Sequence, residues 1–335
     1  MKPKRSVPAL MDVARRAGVG AATVSRVING GQNVSARRLA AVQQAIEELG
    51  YHPNQAARSL KGARTKTIGL VVPSVADPFF SAAAEAIQEV ARGHGTLLLL
   101  AVSENQSARE QEQVASLIQR RIDGLILAPS DGADFSMFKH AGFPVVCFDR
   151  PFPGQDIPVV LSDNYAGAKA ATEHLVKAGR KRILCLSGDP QLFTSKRRVK
   201  GYRDVVRAAG LPYLAEVSVQ DHESAVAALT PYLSGRSRID AVFSIKNAIT
   251  VSAYKILRDA GLEVPKMVAI AAYDDFELAD TLDPPICVVR QPVVGIARRA
   301  AEMLFEALDR GQVQTKMVKM EVELIHRASC GGHSR

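Results

Sequence analysis

The sequence predicts a small all-α domain at the N-terminus, followed by a larger α/β body built from two lobes of parallel sheet. Two observations favour this fold class. Over residues 1–50, apolar residues recur at helical spacing in short pieces. From Thr67 onward, short apolar runs alternate with amphipathic stretches, which is the rhythm of strand, helix, strand units. Roughly 270 residues with this rhythm exceed one comfortable core, so two lobes with a cleft between them are expected.

Positive charge is concentrated near the N-terminus. The 335-residue chain has 43 Lys and Arg against 34 Asp and Glu, a net charge of +9. Residues 1–66 alone contain 12 basic and 3 acidic residues, so the rest of the chain is neutral. A basic domain on a neutral body indicates a polyanionic partner for the N-terminal domain. The composition, 47% hydrophobic and 23% charged, excludes fibrous and disordered classes.

Membrane insertion and export are disfavoured. The longest strongly apolar run, residues 97–102, is far shorter than the ~20 residues of a membrane-spanning helix. No apolar segment follows the basic N-terminal residues, so a secretory signal is not expected. The cysteines are widely scattered, without a Cys/His spacing typical of zinc sites: Cys147, Cys185, Cys287 and Cys330. We therefore expect a cytoplasmic protein with reduced thiols, without a metal or a cofactor.

Three short helices are predicted for residues 1–50. Gly18, the cluster 29–31 and Gly50 separate them, and Ser35 is expected to cap the third helix. The first helix ends at Gly18 and the second begins at Ala21, which is the spacing of a helix-turn-helix.

The turn also contains the string Gly18-x-Gly20-x-x-Thr23, which superficially matches a dinucleotide-binding fingerprint. That fingerprint must follow a β-strand, and here a helix precedes it, so this alternative is rejected.

A polar, basic stretch at residues 51–66 separates the small domain from the body. Within it, residues 54–62 begin with a capping Asn and end with a Gly, as a short helix would. Nine or so residues are fewer than the ~12 to 15 at which isolated helices become even marginally stable. This segment should therefore become ordered only with a partner chain and DNA.

The body is predicted to alternate strands and helices in order along the chain. Apolar runs predict strands at residues 68–72, 97–102, 124–128, 145–148, 183–187, 241–244, 268–273 and 317–325. Amphipathic stretches predict helices at residues 79–92, 108–120, 165–178, 195–209, 224–233, 248–260 and 291–309. The last helix should cross back to the first lobe.

The chain resembles the LacI/GalR family of bacterial transcription regulators. The strings DVARRAGVGAATVSRVIN (residues 12–29) and YHPN (residues 51–54) occur in the family's order and spacing, and the resemblance continues over essentially the whole chain. It implies a repressor that binds a palindromic operator as a homodimer, with a body similar to periplasmic sugar-binding proteins. A solute-binding protein of a transport system is the alternative, which the basic domain argues against. No catalytic motif is present, so an enzyme is not expected.

The resemblance also implies which residues contact DNA. Ala21, Ala22 and Arg26 would face base edges. The remaining contacts fall on Thr23, Ser25, Asn29, Ser35, Tyr51, Asn54, Ala57 and Leu60. In the family, two such helices commonly pair through the residue at the position of Ala57. The residue at the position of Leu60 then inserts into the minor groove. Gly20 departs from the family, which usually has Ser or Thr there, and Ala9 stands where a Thr cap is common.

Effector-binding residues are expected where loops leave the strands of the body. These candidates are Asp77, Phe79, Phe80, Asp149, Arg150, Arg198, Lys246, Asn247, Asp274 and Gln291. One of the two phenylalanines is expected to be core, and Asp275 is interpreted as a helix cap. The family commonly has Asn-Asp at 246–247, so a lysine there suits a sugar acid or sugar phosphate, whereas Asp77, where Asn is common, favours a neutral sugar.

Four regions are predicted in total. A DNA-binding domain spans residues 1–50, and a hinge helix and linker span 51–66. The first lobe is expected to comprise about 67–161 and 292–320, and the second lobe about 162–291 and 321–335. The C-terminal residues contain no leucine heptad, so a dimer rather than a tetramer is expected.

Overall fold

The structure is a computed structural model that describes residues 8–28, 34–51, 64–134, 136–138, 142–311 and 316–331. The chain divides into two compact units, Met1–Thr65 and Lys66–Arg335. The second unit contains two sheets, each covered by helices, so the predicted fold class is confirmed. Among the described residues, no helix has both the length and the apolar character needed to cross a membrane.

The first unit contains three helices: α1 (Leu10–Ala17), α2 (Ala21–Ile28) and α3 (Ala36–Leu49). Helix α1 begins where the Asp12 carboxylate accepts a hydrogen bond from the Ala9 amide at 2.9 Å, whereas Ala9 itself provides no side-chain cap. It ends at Gly18, whose φ of 64° is left-handed and favours glycine. The core of this unit is small, and its buried residues are Val13, Ala14, Val24, Val42, Ala45 and Tyr51.

The first lobe of the second unit is a six-stranded parallel sheet. Its strands are β1 (Thr67–Val72), β2 (Leu97–Val102), β3 (Gly124–Leu127), β4 (Val145–Phe148), β5 (Val159–Ser162) and β11 (Met317–Met320). The order across the sheet is β11-β5-β4-β3-β1-β2. Its helices are α4 (Pro78–Gly93), α5 (Ser107–Gln119) and α10 (Val293–Arg310). Strands β1 and β3 are fully buried, as expected for a sheet covered on both faces.

The second lobe is also six-stranded. Its strands are β6 (Ile183–Leu186), β7 (Leu214–Glu216), β8 (Ala241–Ser244), β9 (Ala269–Tyr273), β10 (Cys287–Arg290) and β12 (Glu323–Ile325). The order is β12-β10-β9-β8-β6-β7, parallel except that β12 runs antiparallel to β10. Its helices are α6 (Asn164–Lys177), α7 (Phe193–Ala208), α8 (His222–Leu229) and α9 (Asn247–Asp259).

The chain passes between the two sheets three times, after β5, after β10 and after β11. Helix α10 therefore follows a strand of the second lobe and packs into the core of the first lobe through residues such as Ile296 and Leu304. Because parallel strands place their carboxyl ends on one edge, the loops of each lobe that follow these strands gather at a common edge.

Three predicted elements need correction. The single strand predicted at 317–325 is two strands, β11 and β12, which belong to different sheets because the chain crosses between lobes there. The helix predicted to end at residue 233 ends at Leu229, since Pro231 cannot continue it and a 3₁₀ turn follows. Helix α10 begins at Val293 rather than at residue 291, because Pro292 occupies its N-cap.

Candidate functional site

Helix α2 presents a short exposed face. Val24 on its opposite side is fully buried against α1 and α3. Ala22 and Arg26, one helical turn apart, are both exposed, whereas Ala21 is partly buried. The expected base-contacting pair therefore lies side by side on the solvent face of this helix. A Cβ atom added at Gly20 would meet no atom within 4 Å, so a side chain would fit there without displacing a neighbour.

The other predicted DNA-contacting residues have diverse positions. Thr23 and Ser25 are partly buried on α2. Ser35 is exposed at the N-cap of α3, but its hydroxyl makes no capping hydrogen bond, so the expected side-chain cap is absent. Tyr51 lies in the core of the small domain and is 8% exposed. Four further candidates fall outside the described residues: Asn29, Asn54, Ala57 and Leu60.

The burial of Tyr51 leads to a first prediction. If the ring mainly stabilises the small core, Tyr51→Phe should keep operator affinity within about 2-fold, whereas Tyr51→Ala should remove a buried aromatic ring at a cost of about 3 to 5 kcal/mol. That loss would unfold a marginal 50-residue domain and abolish specific DNA binding. Gel shifts with both variants make the comparison; a loss with Tyr51→Phe as large as that with Tyr51→Ala would assign the hydroxyl, not the ring, to the interface.

Nine of the ten predicted effector residues line one cavity of about 450 Å³ in the second unit. They are Asp77, Phe79, Phe80, Asp149, Arg150, Arg198, Lys246, Asp274 and Gln291. The tenth, Asn247, lines an adjoining cavity of about 440 Å³ that shares Phe79, Asp274 and Gln291 with the first. Both lobes contribute to the walls, so the expected cleft is present.

Further polar residues line the same cavity but were not predicted from the sequence. They are Glu104, Asn105, Gln106, Asp189, Ser195 and Gln220. Residues 104–106 follow the carboxyl end of β2 and Asp189 follows that of β6. A rule restricted to the residue directly after a parallel strand does not find them, because they lie two to four residues beyond the strand ends.

Two aspartates occupy equivalent positions in the two lobes. Asp149 directly follows β4 and Asp274 directly follows β9. Both have left-handed backbone angles, with φ of 66° and 72°, which is uncommon for a residue with a side chain. Burial raises the pKa of each carboxyl above its ordinary value, against the opposing effect of arginines in the cleft. These acids can therefore donate as well as accept hydrogen bonds more readily than exposed aspartates.

Arg198 is the most connected side chain of the cleft. Its Nε donates to Asn164 Oδ1 at 2.7 Å, and its Nη1 donates to the Ile245 carbonyl at 2.6 Å. Nη1 also forms an ion pair with Asp274 Oδ2 at 3.2 Å, and the guanidinium carbon lies 3.7 Å from the ring centre of Tyr273. Only 6% of the residue is exposed. The guanidinium is thus fixed by its partners, mainly as a support for Asp274.

A chain of hydrogen bonds connects Asp274 to the points where the chain crosses between lobes. Gln291 Nε2 donates to Asp274 Oδ1 at 2.5 Å, and Gln291 Oε1 accepts a bond from the hydroxyl of Ser162. Asn164 Nδ2 donates to the Ser162 carbonyl at 3.2 Å. Ser162 ends β5 and Gln291 follows β10, so two of the three crossings are linked to the cleft through buried polar contacts.

Lys246 is neutralised within the protein. Its ammonium lies 3.2 Å from Asp77 Oδ2, an ion pair that joins the second lobe to the first. Asp77 also accepts a hydrogen bond from the Phe79 amide at 3.1 Å and so caps α4. Because Lys246 has an acidic partner, its charge gives little reason to expect an acidic effector.

Arg150 differs from Arg198 in its partners. It is 4% exposed, and its Nε lies 3.2 Å from Asp149 Oδ2 as an ion pair. That contact lacks hydrogen-bond geometry, and neither Nε nor Nη1 donates a hydrogen bond to any part of the chain that the structure describes. Buried donors without a partner are rare in folded proteins. Arg150 lines the cavity, but its Nε and Nη1 are themselves buried, so they can donate to a ligand only after a local rearrangement of the side chain.

Both phenylalanines belong to the core and border the cleft. Phe79 and Phe80 are 8% and 7% exposed. Their rings are in edge-to-face contact with 5.0 Å between centres, and both contact Phe148. One of the two was expected to be core, and the other is core as well, because the cleft wall at this point is the edge of the first lobe's core.

Asp275 is not a helix cap, since no helix begins there. Its carboxylate accepts two hydrogen bonds from Arg290, at 2.9 and 2.7 Å, and two from Arg327, at 2.9 and 3.1 Å. Burial alone would raise the pKa of Asp275, but these hydrogen bonds outweigh it and hold the pKa below its ordinary value. The residue thereby anchors the segment after β12 beside the cleft.

The lowered pKa of Asp275 predicts a pH-dependent contribution to stability. Because its folded pKa lies below the unfolded value of about 3.9, the contribution is present above that pH and is lost as the pH falls through the folded value. Asp275→Asn should lower the free energy of unfolding by about 2 kcal/mol at pH 7, with a difference from wild type that shrinks below about pH 4. Urea unfolding across pH tests this, with the exposed Asp259→Asn as control; a constant difference would contradict it.

Comparison with known proteins gives the class. The profile described as "Bacterial regulatory proteins, lacI family" matches residues 9–54, and that described as "Periplasmic binding proteins and sugar binding domain of LacI family" matches residues 65–328. Together they span the described domains, with a helix-turn-helix preceding a two-lobed binding fold.

Relatives and solved structures agree with these profiles. The transcriptional regulator CelR of Thermobifida fusca is 34% identical over 97% of this chain and 99% of its own. The ribose operon repressor of Escherichia coli (strain K12) is 33% identical over 96% and 99%. A CelR–cellobiose complex is similar with a TM-score of 0.73 at 32% identity, covering 96% of this chain and 99% of its own. A lac repressor dimer bound to operator and the anti-inducer ONPF shares the fold, with a TM-score of 0.86 at 23% identity over 97% and 99%.

The chain therefore belongs to the LacI family of bacterial regulatory proteins. It is a DNA-binding transcriptional regulator with a periplasmic-binding-protein-like body, as expected from the sequence, and its relatives are regulators rather than enzymes.

Proposed function

We propose that this protein is a repressor that binds palindromic operator DNA as a homodimer and is controlled by a neutral carbohydrate in the cleft. Control by an effector is supported mainly by the hydrogen bonds that run from Asp274 through Gln291 to Ser162. They connect a carboxyl group that lines the cleft to the segments where the polypeptide crosses between the lobes. The exposed pair Ala22 and Arg26 on α2 supports the DNA part. A transport role is not favoured, since the family's members regulate transcription.

The charges in the cleft favour a neutral polyol over a sugar acid or phosphate. Carboxylates outnumber cations among the lining residues. The ammonium of Lys246 is already paired with Asp77, and Arg198 with Asp274. Carboxyl groups and amides bind sugar hydroxyls by accepting and donating, and the apolar edge of Phe79 and Phe80 can contact a sugar ring face. Relatives named for ribose and cellobiose support carbohydrate as the class.

The proposed control acts through the position of the two lobes. An effector that bridges Asp149 of the first lobe and Asp274 of the second interacts differently with open and closed arrangements, and only such a difference can shift their populations. The link from Asp274 to Gln291 then transmits the change to the crossing segments. Whether operator affinity falls or rises depends on which arrangement the dimer needs on DNA.

A ligand screen tests the effector class. Thermal melting of the full chain would be followed with pentoses, disaccharides, sugar acids and sugar phosphates. A ligand present at about 100 times its Kd should add ~2.7 kcal/mol of stability. We expect neutral sugars to stabilise and their acidic analogues to fail. Stabilisation by sugar phosphates alone would contradict the neutral class while leaving DNA regulation intact.

The DNA part of the proposal predicts two different losses. Arg26→Ala should weaken operator binding by about 1 to 3 kcal/mol and relax discrimination at one base pair.

Leu60→Ser, at a residue outside the described ranges, should weaken specific binding more than non-specific binding, because a minor-groove wedge acts only on the kinked operator. Binding titrations against operator and random DNA at fixed salt distinguish the two. Arg298→Ala, which changes an exposed side chain on α10 of the body, serves as control. Equal losses on both DNAs for Leu60→Ser would exclude the wedge.

A further inference from the structure

Four metal-ligating side chains meet at the end of the second lobe that is opposite the cleft. Cys287 is the first residue of β10, whereas the cleft begins after the last residue of that strand. His174 lies in the last turn of α6, and His326 directly follows β12. Cys330 ends a short 3₁₀ turn, Ala328–Cys330. The antiparallel pairing of β12 with β10 brings these segments together.

Three ligand atoms of this Cys/His cluster are close enough to share one ion, and the fourth side chain, Cys330, contacts one of the three. One ligand atom from each of His174, Cys287 and His326 lies within 4.8 Å of the other two. His174 Nε2 is 2.9 Å from Cys330 Sγ, and the rings of His174 and His326 have centres 4.5 Å apart. The Cys330 thiol donates to the Arg327 carbonyl at 3.1 Å. Tetrahedral zinc, with bonds of about 2.0 to 2.3 Å, places its ligand atoms roughly 3.5 Å from one another. Shifts of about an ångström would therefore complete the geometry.

The chemistry of the four ligands selects the ion. Two thiolates and two imidazoles form a set that binds zinc in closed structural sites. Two thiolates would balance the charge of Zn²⁺, which matters because both cysteines are fully buried. His326 is exposed and provides a path for entry.

The backbone around the Cys/His cluster is held in place by hydrogen bonds that need no metal. Ser329 Oγ accepts a bond from the Cys287 amide at 2.8 Å and donates to the Ile270 carbonyl at 2.7 Å. The Ser329 amide donates to the Pro285 carbonyl at 3.0 Å. These bonds fix the 3₁₀ turn against β10, so Cys287 and Cys330 keep their separation. Such outer contacts orient metal ligands in known sites.

We propose that His174, Cys287, His326 and Cys330 form a structural Zn²⁺ site that fastens the C-terminal turn and β12 to the second lobe. The sequence showed no such site because the ligands are spread over more than 150 residues, with no short Cys/His spacing. The site is separate from the effector cleft, so it is independent of the proposed effector class. It is a stability element of the body, and its occupancy is expected to raise the melting temperature without changing the cleft.

Metal content of the full-length chain tests the proposal. Protein without a histidine tag, purified under reducing conditions, would be incubated with ZnCl₂, passed through gel filtration and analysed by mass spectrometry for zinc. We expect one zinc per chain, a higher melting temperature with zinc, and visible absorption of tetrahedral, thiolate-bound Co²⁺ after substitution. His326→Gln changes an exposed side chain and should fold normally, yet bind zinc at least 10-fold more weakly. Cys185→Ser, buried in β6 away from the Cys/His cluster, is the matched control and should retain one zinc.

Three results would overturn the proposal. The first is that the reduced wild-type chain retains no zinc. The second is that wild type and His326→Gln bind zinc with equal affinity. The third is that a disulfide between Cys287 and Cys330 persists in zinc-treated protein. Cys330→Ser provides a second variant. If it retained as much zinc as wild type, the proposal would likewise be overturned. Gel filtration and the melting transition of each variant separate loss of zinc from loss of folding.

Discussion

Replacing Arg198 by Met should lower the free energy of unfolding of the body by about 3 to 5 kcal/mol, because it leaves Asp274 buried without its cationic partner. The substitution keeps most of the side-chain volume and removes the donors to Asn164, Ile245 and Asp274. The carbonyl of Ile245 would then be buried without the donor that it now uses. Since the chain has no Trp, urea unfolding followed by far-ultraviolet circular dichroism is the suitable measurement.

Two further variants make this result specific. Arg298→Met removes an exposed ion pair with Glu89, 3.0 Å long, and should cost no more than about 1 kcal/mol. The double variant Arg198→Met with Asp274→Asn should recover part of the loss, because the amide no longer needs a cation. A loss below about 1 kcal/mol for Arg198→Met, equal to that of the surface control, would show that Asp274 does not depend on this arginine.

Most elements of the body could be predicted from the sequence, but three short strands could not. Helix α4 and strand β2 match their predicted ranges to within a residue, since their patterns are long and clearly bounded. Among strands of three or four residues, β4 and β8 were predicted, whereas β5, β7 and β10 were missed, because so short an apolar run is ambiguous between strand and loop. The division of residues 317–325 between two sheets depends on tertiary topology, which no local pattern encodes.

The candidate effector site, like the fold, could be predicted from the sequence only in part. Asp149 and Asp274 could be predicted because each directly follows an apolar strand, and the edge of a parallel sheet brings such residues together. What the sequence could not show is the partner of each charge. Lys246 suggested an acidic effector until the structure placed Asp77 beside it. Asp275 looked like a helix cap, yet its partners, Arg290 and Arg327, are separated from it by 15 and 52 residues.

Replacing Arg150 by Met should mainly weaken effector binding, whereas Arg198→Met should mainly lower stability. We expect a large loss of effector affinity for Arg150→Met, with a smaller loss of stability than for Arg198→Met. Two nitrogens of Arg150 donate no hydrogen bond to the described residues, so folding already bears the cost of desolvating them. Removing them relieves that cost and partly offsets the lost ion pair with Asp149.

The effect on binding follows from the same two nitrogens. If a local rearrangement of the side chain brings both buried nitrogens to the effector, their loss removes about 3 kcal/mol or more of binding free energy, which is at least a ~100-fold rise in Kd. Calorimetry with a sugar that stabilises the wild-type chain in the screen measures this, beside urea unfolding of the same variant. Arg198→Met is the matched comparison, since it removes an equally buried guanidinium whose donors are used within the protein. Unchanged sugar affinity in Arg150→Met, or a stability loss as large as that of Arg198→Met, would mean that Arg150 supports the fold and not the ligand.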